Sequence, residues 1–176
     1  MHLDPFNSRY SNVKKCCLLL LTLALTALSA AADGVDLHHY WDQRCEGCHG
    51  HAGAFARRFL RIDNGRLVGA HHKNDLGLFL RNHYLTDALV GPISAMLMAQ
   101  VASPPLFSEK CAGCHGNASE FARNSLLIKD GVLVARANGH KVVDYLATHG
   151  KLNPNEVQIV VTNLTRARME VSNSNK

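Results

Sequence analysis

The 176-residue chain carries 19 Lys+Arg against 14 Asp+Glu, a net charge of +5, and six cysteines. This balance does not read as a nucleic-acid binder: an export-like segment at 1–32 takes away three basic and one acidic side chain, leaving 16 against 13. Positions 33–102 hold seven basic and seven acidic side chains and positions 103–176 nine and six, an ordinary solvated surface or a modest bias toward an acidic partner.

Within positions 1–32, Arg9, Lys14 and Lys15 form a positive start. Cys16 to Leu28 is apolar apart from Thr22 and Thr26, and Ser29-Ala30-Ala31-Ala32 offers small residues for cleavage. The expectation is a signal peptide cut beside Ala32-Asp33. A retained membrane anchor is the alternative, because the stretch from Cys16 to Ala32 lies at the short limit of a spanning helix. Cleavage would remove Cys16 and Cys17 and leave four thiols.

Those four fall in two copies of one pattern, Cys45-Glu46-Gly47-Cys48-His49 and Cys111-Ala112-Gly113-Cys114-His115. C-x-x-C-H is the spacing of covalent haem attachment. Two thiols at that spacing on a helical turn reach the two vinyl groups of one porphyrin, and the next residue lies under the iron as proximal ligand. The cofactor-binding set is therefore Cys45, Cys48, His49, Cys111, Cys114 and His115, for two covalently bound haem c groups. A zinc site built from both thiol pairs, or disulfides, are alternatives that give His49 and His115 no reason.

Laying the chain on itself so that Cys45 meets Cys111 superimposes more than the motifs, and needs no gap. Phe55-Ala56-Arg57 falls on Phe121-Ala122-Arg123, Leu60, Ile62, Gly65, Leu67 and Val68 on Leu126, Ile128, Gly131, Leu133 and Val134, and Leu80 and His83 on Leu146 and His149. This reads as duplication of a folding unit of roughly 65 residues, small for a core of its own and stapled by its cofactor. Ser103-Pro104-Pro105 marks the boundary, giving domains at 33–102 and 103–176. Each unit reads as a short helix carrying the motif, a helical turn, and a two-residue hairpin at Asn64-Gly65 or Asp130-Gly131. A second helix follows, over about Asn74 to Tyr84 and Gly139 to His149, with Gly150 as a C-cap. It places Leu76, Phe79, Leu80 and His83, or Val142, Tyr145, Leu146 and His149, on one face. The last helix starts at Asn153-Pro154 and runs toward Ala167; its counterpart, Ile93 to Val101, follows Gly91-Pro92. The class is mainly α, with one small β-hairpin per unit.

The sixth iron ligand decides the chemistry, since a second protein ligand closes the iron to substrate. His83 and His149 are the candidates: they follow His49 and His115 at the same distance, and each ends an apolar stripe. The metal-ligating set is then His49, His115, His83 and His149. Met96 and Met98 are the rivals in the first unit, with no methionine at the matching places of the second, where Met169 is the only methionine; packing is the simpler role for the pair. The remaining histidines, His38 among them, read as solvent-facing. Arg57 and Arg123 either pair with a haem propionate or stand as exposed arginines.

From about Leu37 to Arg168 the chain resembles dihaem c-type cytochromes built from tandem class I-like domains, on the strength of the two C-x-x-C-H motifs. It departs from the common pattern in lacking a convincing late Met ligand, which points to bis-His iron. The resemblance implies two cytochrome c-like domains, export to the periplasm, where haem is attached, and single-electron exchange with redox protein partners such as a dehydrogenase, reductase or respiratory complex. No catalytic residues are implied, and membrane association follows only if the N-terminal segment is retained. The alternative is a haem enzyme, a peroxidase or small-molecule reductase with one open distal site. No paired carboxylates or Ser/His/Asp set stands out to serve it.

Overall fold

Each motif sits in the same run of short elements, and the local sequence explains where each begins and ends. The computed structural model describes residues 34–171; the export-like segment with Cys16 and Cys17 lies outside the described residues. Among the described residues, 59% are helical and 12% are in strands, a mainly helical chain with two small antiparallel hairpins. The first half runs α1 (Leu37–Arg44), α2 (Glu46–His49), α3 (Ala52–Phe59), β1 (Leu60–Asp63), β2 (Arg66–Gly69), α4 (Leu76–Arg81) and α5 (Asp87–Ala102). The second runs α6 (Leu106–Lys110), α7 (Ala112–His115), α8 (Ala118–Ser125), β3 (Leu126–Lys129), β4 (Val132–Ala135), α9 (Val142–Leu146) and α10 (Pro154–Val171).

The hairpins follow their turn chemistry. Asn64 and Gly65 have φ of 49° and 72°, and Asp130 and Gly131 have 52° and 76°. Positive φ at both central residues is the turn that matches strand twist, and Asn-Gly and Asp-Gly adopt it at low cost. It fixes the pairing as Leu60 opposite Gly69 and Leu126 opposite Ala135, the same register in both halves. The left-handed positions correspond as well: Gly50 with Gly116, and Tyr84 with Gly150.

The long helices are set by caps and burial. In α10 the Asn153 side chain accepts from Glu156 N and the Glu156 carboxylate accepts from Asn153 N, both at 3.0 Å, a reciprocal capping box ahead of Pro154. The helix reaches Val171, past the expected Ala167, and buries Val157, Val160, Leu164, Ala167 and Val171. In the first half the expected start at Pro92 is wrong. Helix α5 begins at Asp87, after Thr86, and carries Pro92 inside it. Proline there removes one hydrogen bond, but Leu89 lies before it and Ile93, Met96 and Leu97 after it, and all four are buried. Burying that stripe outweighs the lost bond.

The stripe helices are shorter than the spacing predicts: α4 spans Leu76–Arg81 and α9 Val142–Leu146. His83 and His149 stand just beyond them in turns, where His83 N donates to Leu80 O at 3.1 Å and His149 N to Tyr145 O at 3.1 Å. Left-handed residues then reverse the chain, Tyr84 (φ 63°) in one half and Gly150 (φ 81°) in the other. Tyr84 is a costly residue for that conformation; the Tyr40 hydroxyl holds its carbonyl at 2.7 Å.

The two halves belong to one compact unit. Helix α1 of the first packs against α10 of the second. Its N-cap Asp36 accepts from His39 N at 2.8 Å through one oxygen and from Arg123 Nε at 2.7 Å through the other. His38, expected at the surface, is 8% exposed and pairs with Glu170 at 2.8 Å. Helix packing overrides its polarity because a carboxylate from α10 is there to meet it.

Candidate haem sites

Each C-x-x-C-H motif forms a single helical turn, with the amide of His49 bonded to Cys45 O at 2.9 Å and that of His115 to Cys111 O at 3.0 Å. A glycine with positive φ, Gly50 or Gly116, then turns the chain into the next helix. The first cysteine of each pair is half-buried and the second exposed, and all four are free thiols. Burial pushes the Cys45 thiol up, and does the same to Cys111 against the opposing pull of Lys110. Neither is an acidified thiolate of the kind that drives dithiol redox chemistry.

Aromatic contacts fix the histidines. Phe55 sets its edge against His49 and Phe121 packs against His115, both at 4.7 Å between ring centres. On the far side, Phe79 stacks on His83 at 4.7 Å and Tyr145 on His149 at 4.6 Å. Trp41 reinforces the first site by donating from its indole N–H to Gly50 O at 2.9 Å.

These contacts bring His83 opposite His49, with ring centres 5.8 Å apart, and His149 opposite His115, at 6.1 Å. Two imidazoles bound to one metal from opposite sides, at about 2.0 Å each, have ring centres roughly 6 Å apart. Among the described residues no three His, Cys, Asp or Glu side chains gather as a metal-ion cage. His49 with His83, and His115 with His149, are the residues that would hold a metal carried by a larger cofactor such as haem, which would supply redox chemistry there. Burial and the neighbouring His83 push the His49 imidazole down, favouring the neutral form that can ligate.

The walls are the two apolar stripes. Leu76, Phe79, Leu80 and His83 line the first cleft with Ile93 and Leu97 of α5. Val142, Tyr145, Leu146 and His149 line the second with Val160 and Leu164 of α10. The rival methionines do not: Met96 is 1% exposed among the buried residues of α5, and neither it nor Met98 lines the first cleft. Met169 is half-exposed and away from the second cleft.

The clefts differ. The first is a narrow cavity of about 60 Å³. The second holds about 900 Å³, within the roughly 300–1,000 Å³ common for cofactor sites. Its lining includes the polar residues Lys110, Asn124, Arg136, Asn138 and His140. Arg57 and Arg123 are not at either cleft: Arg57 donates to Gln100 O at 3.3 Å and Arg123 to Asp36. The arginine that lines the second cleft is Arg136, which sequence reasoning misses. The repeat gives no signal for it, because Ala70 stands at the matching place.

No helix among the described residues is long and apolar enough to cross a membrane. Comparison with protein-family models, curated proteins and solved structures finds no match to this chain.

Proposed function

We propose that this chain is a dihaem c-type cytochrome that passes single electrons between redox protein partners, as a periplasmic carrier or an electron-transfer subunit. One observation carries the reading: each C-x-x-C-H histidine faces a second histidine at metal-bridging separation across an apolar cleft. Two tandem units descended from one ancestor account for this, supported by hairpins, left-handed turns and histidine pairs that recur at one constant offset along the chain.

Cys45 and Cys48, and Cys111 and Cys114, would attach the two groups, with His49 and His115 as proximal and His83 and His149 as distal ligands. A haem iron held by two imidazoles supplies a closed one-electron couple with no position for substrate. The protein's part is to hold the four rings still. Phe55, Phe79, Phe121 and Tyr145 restrain the imidazoles on both sides, and the aliphatic walls keep water out, so little has to rearrange when charge changes. Nothing here requires a catalytic side chain. Attachment outside the cytoplasm fits the export-like segment at 1–32, and a docked partner would be another redox protein.

A haem enzyme is the second reading, favoured by one feature, the wider second cleft with polar residues in its lining. The absorption spectrum of the reduced, exported protein with and without carbon monoxide separates the two. The carrier reading expects no change. A shift in about half of the signal, as from one of two haems, would mean a displaceable distal ligand and would replace the carrier by the enzyme.

A further inference from the structure

The two clefts share a backbone plan and differ in one fixed charge. In each half the residue after the hairpin ties back to the end of the preceding helix: Ala70 N donates to Phe59 O at 3.1 Å, and Arg136 N to Ser125 O at 2.8 Å. The backbone contact repeats and the side chain does not. Arg136 lays the Nε–Nη2 edge of its guanidinium on the end of α8. Its Nε donates to Asn124 O at 3.1 Å, and its Nη2 to Arg123 O at 3.0 Å and Leu126 O at 3.4 Å. A helix C-terminus leaves its last carbonyls without intrahelical partners, and a cation suits them. These bonds hold Arg136 where α8 meets β3, and Asn124, Ser125, Leu126 and Arg136 all line the second cleft.

No carboxylate among the described residues pairs with Arg136. The other cation of that lining, Lys110, is engaged by Glu156, and Arg123 on α8 by Asp36. The first cleft has no Lys, Arg, Asp or Glu in its lining, and Ala70 brings no cation to the matching end of α3. The helix end offsets part of the charge of Arg136, but it does so in both halves, so the two sites still differ by one cation. Reduction of an iron centre removes one positive charge, and a fixed cation beside it therefore favours the reduced state. Solvent reaches Arg136 and screens it. A cofactor filling the cleft displaces the water inside, and walls such as Leu126, Val142, Leu146 and Leu164 screen weakly. We propose, on the haem reading, that Arg136 is a tuning residue of the second site alone, raising the reduction potential of an iron held between His115 and His149. Between two otherwise like centres this gives electron flow a direction. An electron leaving the first centre, which is thereby oxidised, reduces the second; a donor protein refills the first and an acceptor protein empties the second.

The test is a redox titration of the full exported protein, with mass spectrometry to count its haems, on the natural chain, Arg136→Met and Arg136→Lys. Arg136 is exposed, so both variants should fold. Methionine removes the charge and the helix cap together, whereas lysine keeps the charge and lacks the planar fork that meets the carbonyls. Both variants should lower the thermal midpoint through the lost cap. Only Arg136→Met should lower one of the two reduction potentials, moving that centre's oxidised-to-reduced ratio at a set potential by about threefold or more. The other potential stays in place, and Arg136→Lys keeps both near their natural values. Three results overturn the proposal: Arg136→Met leaves both potentials unchanged, it lowers both alike, or Arg136→Lys lowers one as far as methionine does. The last would make Arg136 a helix cap and nothing more. A protein exported without covalent haem overturns the haem reading and the proposal together, which tells the two failures apart.

Discussion

Single residues separate the two roles that a histidine can take here. His38 is buried but satisfied by Glu170, and His51 caps α3 by accepting from Gly53 N at 3.3 Å; both have local reasons to exist. His83 and His149 show no such polar partner for their rings among the described residues; each has a stacked aromatic ring behind and a second imidazole in front. If the chain carries two haems as proposed and these residues ligate them, His83→Ala and His149→Ala should each convert about half of the low-spin signal to a form that binds carbon monoxide. Met96→Leu should leave the spectrum intact and cost under about 1.5 kcal/mol, as a volume-conserving core change. A low-spin spectrum untouched by His149→Ala would remove that residue from the ligand set. This pairing is legible in the sequence because the repeat aligns His83 with His149. Arg136 is not, since a residue present in one half only leaves no mark on the comparison.

At the scale of elements, the sequence declares what rests on local chemistry. Asn64-Gly65 and Asp130-Gly131 announce two hairpins, and Asn153-Pro154 announces α10. What it misplaces depends on tertiary contact: α5 absorbs Pro92 because a buried stripe spans it, and α4 and α9 stop short because the chain turns at His83 and His149. The hairpins give a clean trial. Gly131 has φ 76°, and a Cβ built there meets nothing within 4 Å, so only the backbone resists a side chain. Gly131→Ala should therefore cost about 1–2 kcal/mol in denaturant unfolding. A neutral result would mean that the turn relaxes to another conformation.

For the whole molecule, the decisive contacts join distant parts of the sequence. Asp36 pairs with Arg123 across the two halves, and His38 reaches Glu170 near the far end of α10. Sequence reading supplies the halves and is silent on their junction, because neither contact repeats and each pairs side chains that look ordinary alone. Asp36→Ala removes both the cap of α1 and the partner of a part-buried arginine, and should cost about 2–4 kcal/mol. Urea unfolding followed at both sites should then shift both transitions together. A shift confined to one site would show the halves to be independent. The latch between α1 and α10 also orders events during synthesis. Helix α1 leaves the ribosome before the other described elements, yet its buried polar groups find their partners on α8 and on α10, the last of them. Until α8 and α10 are made, Asp36 lacks Arg123 and His38 lacks Glu170, and α1, whose Trp41 braces the first motif, is held by its first-half neighbours alone. A chain cut short within α10 would thus damage the site farthest from the cut as well as the nearest.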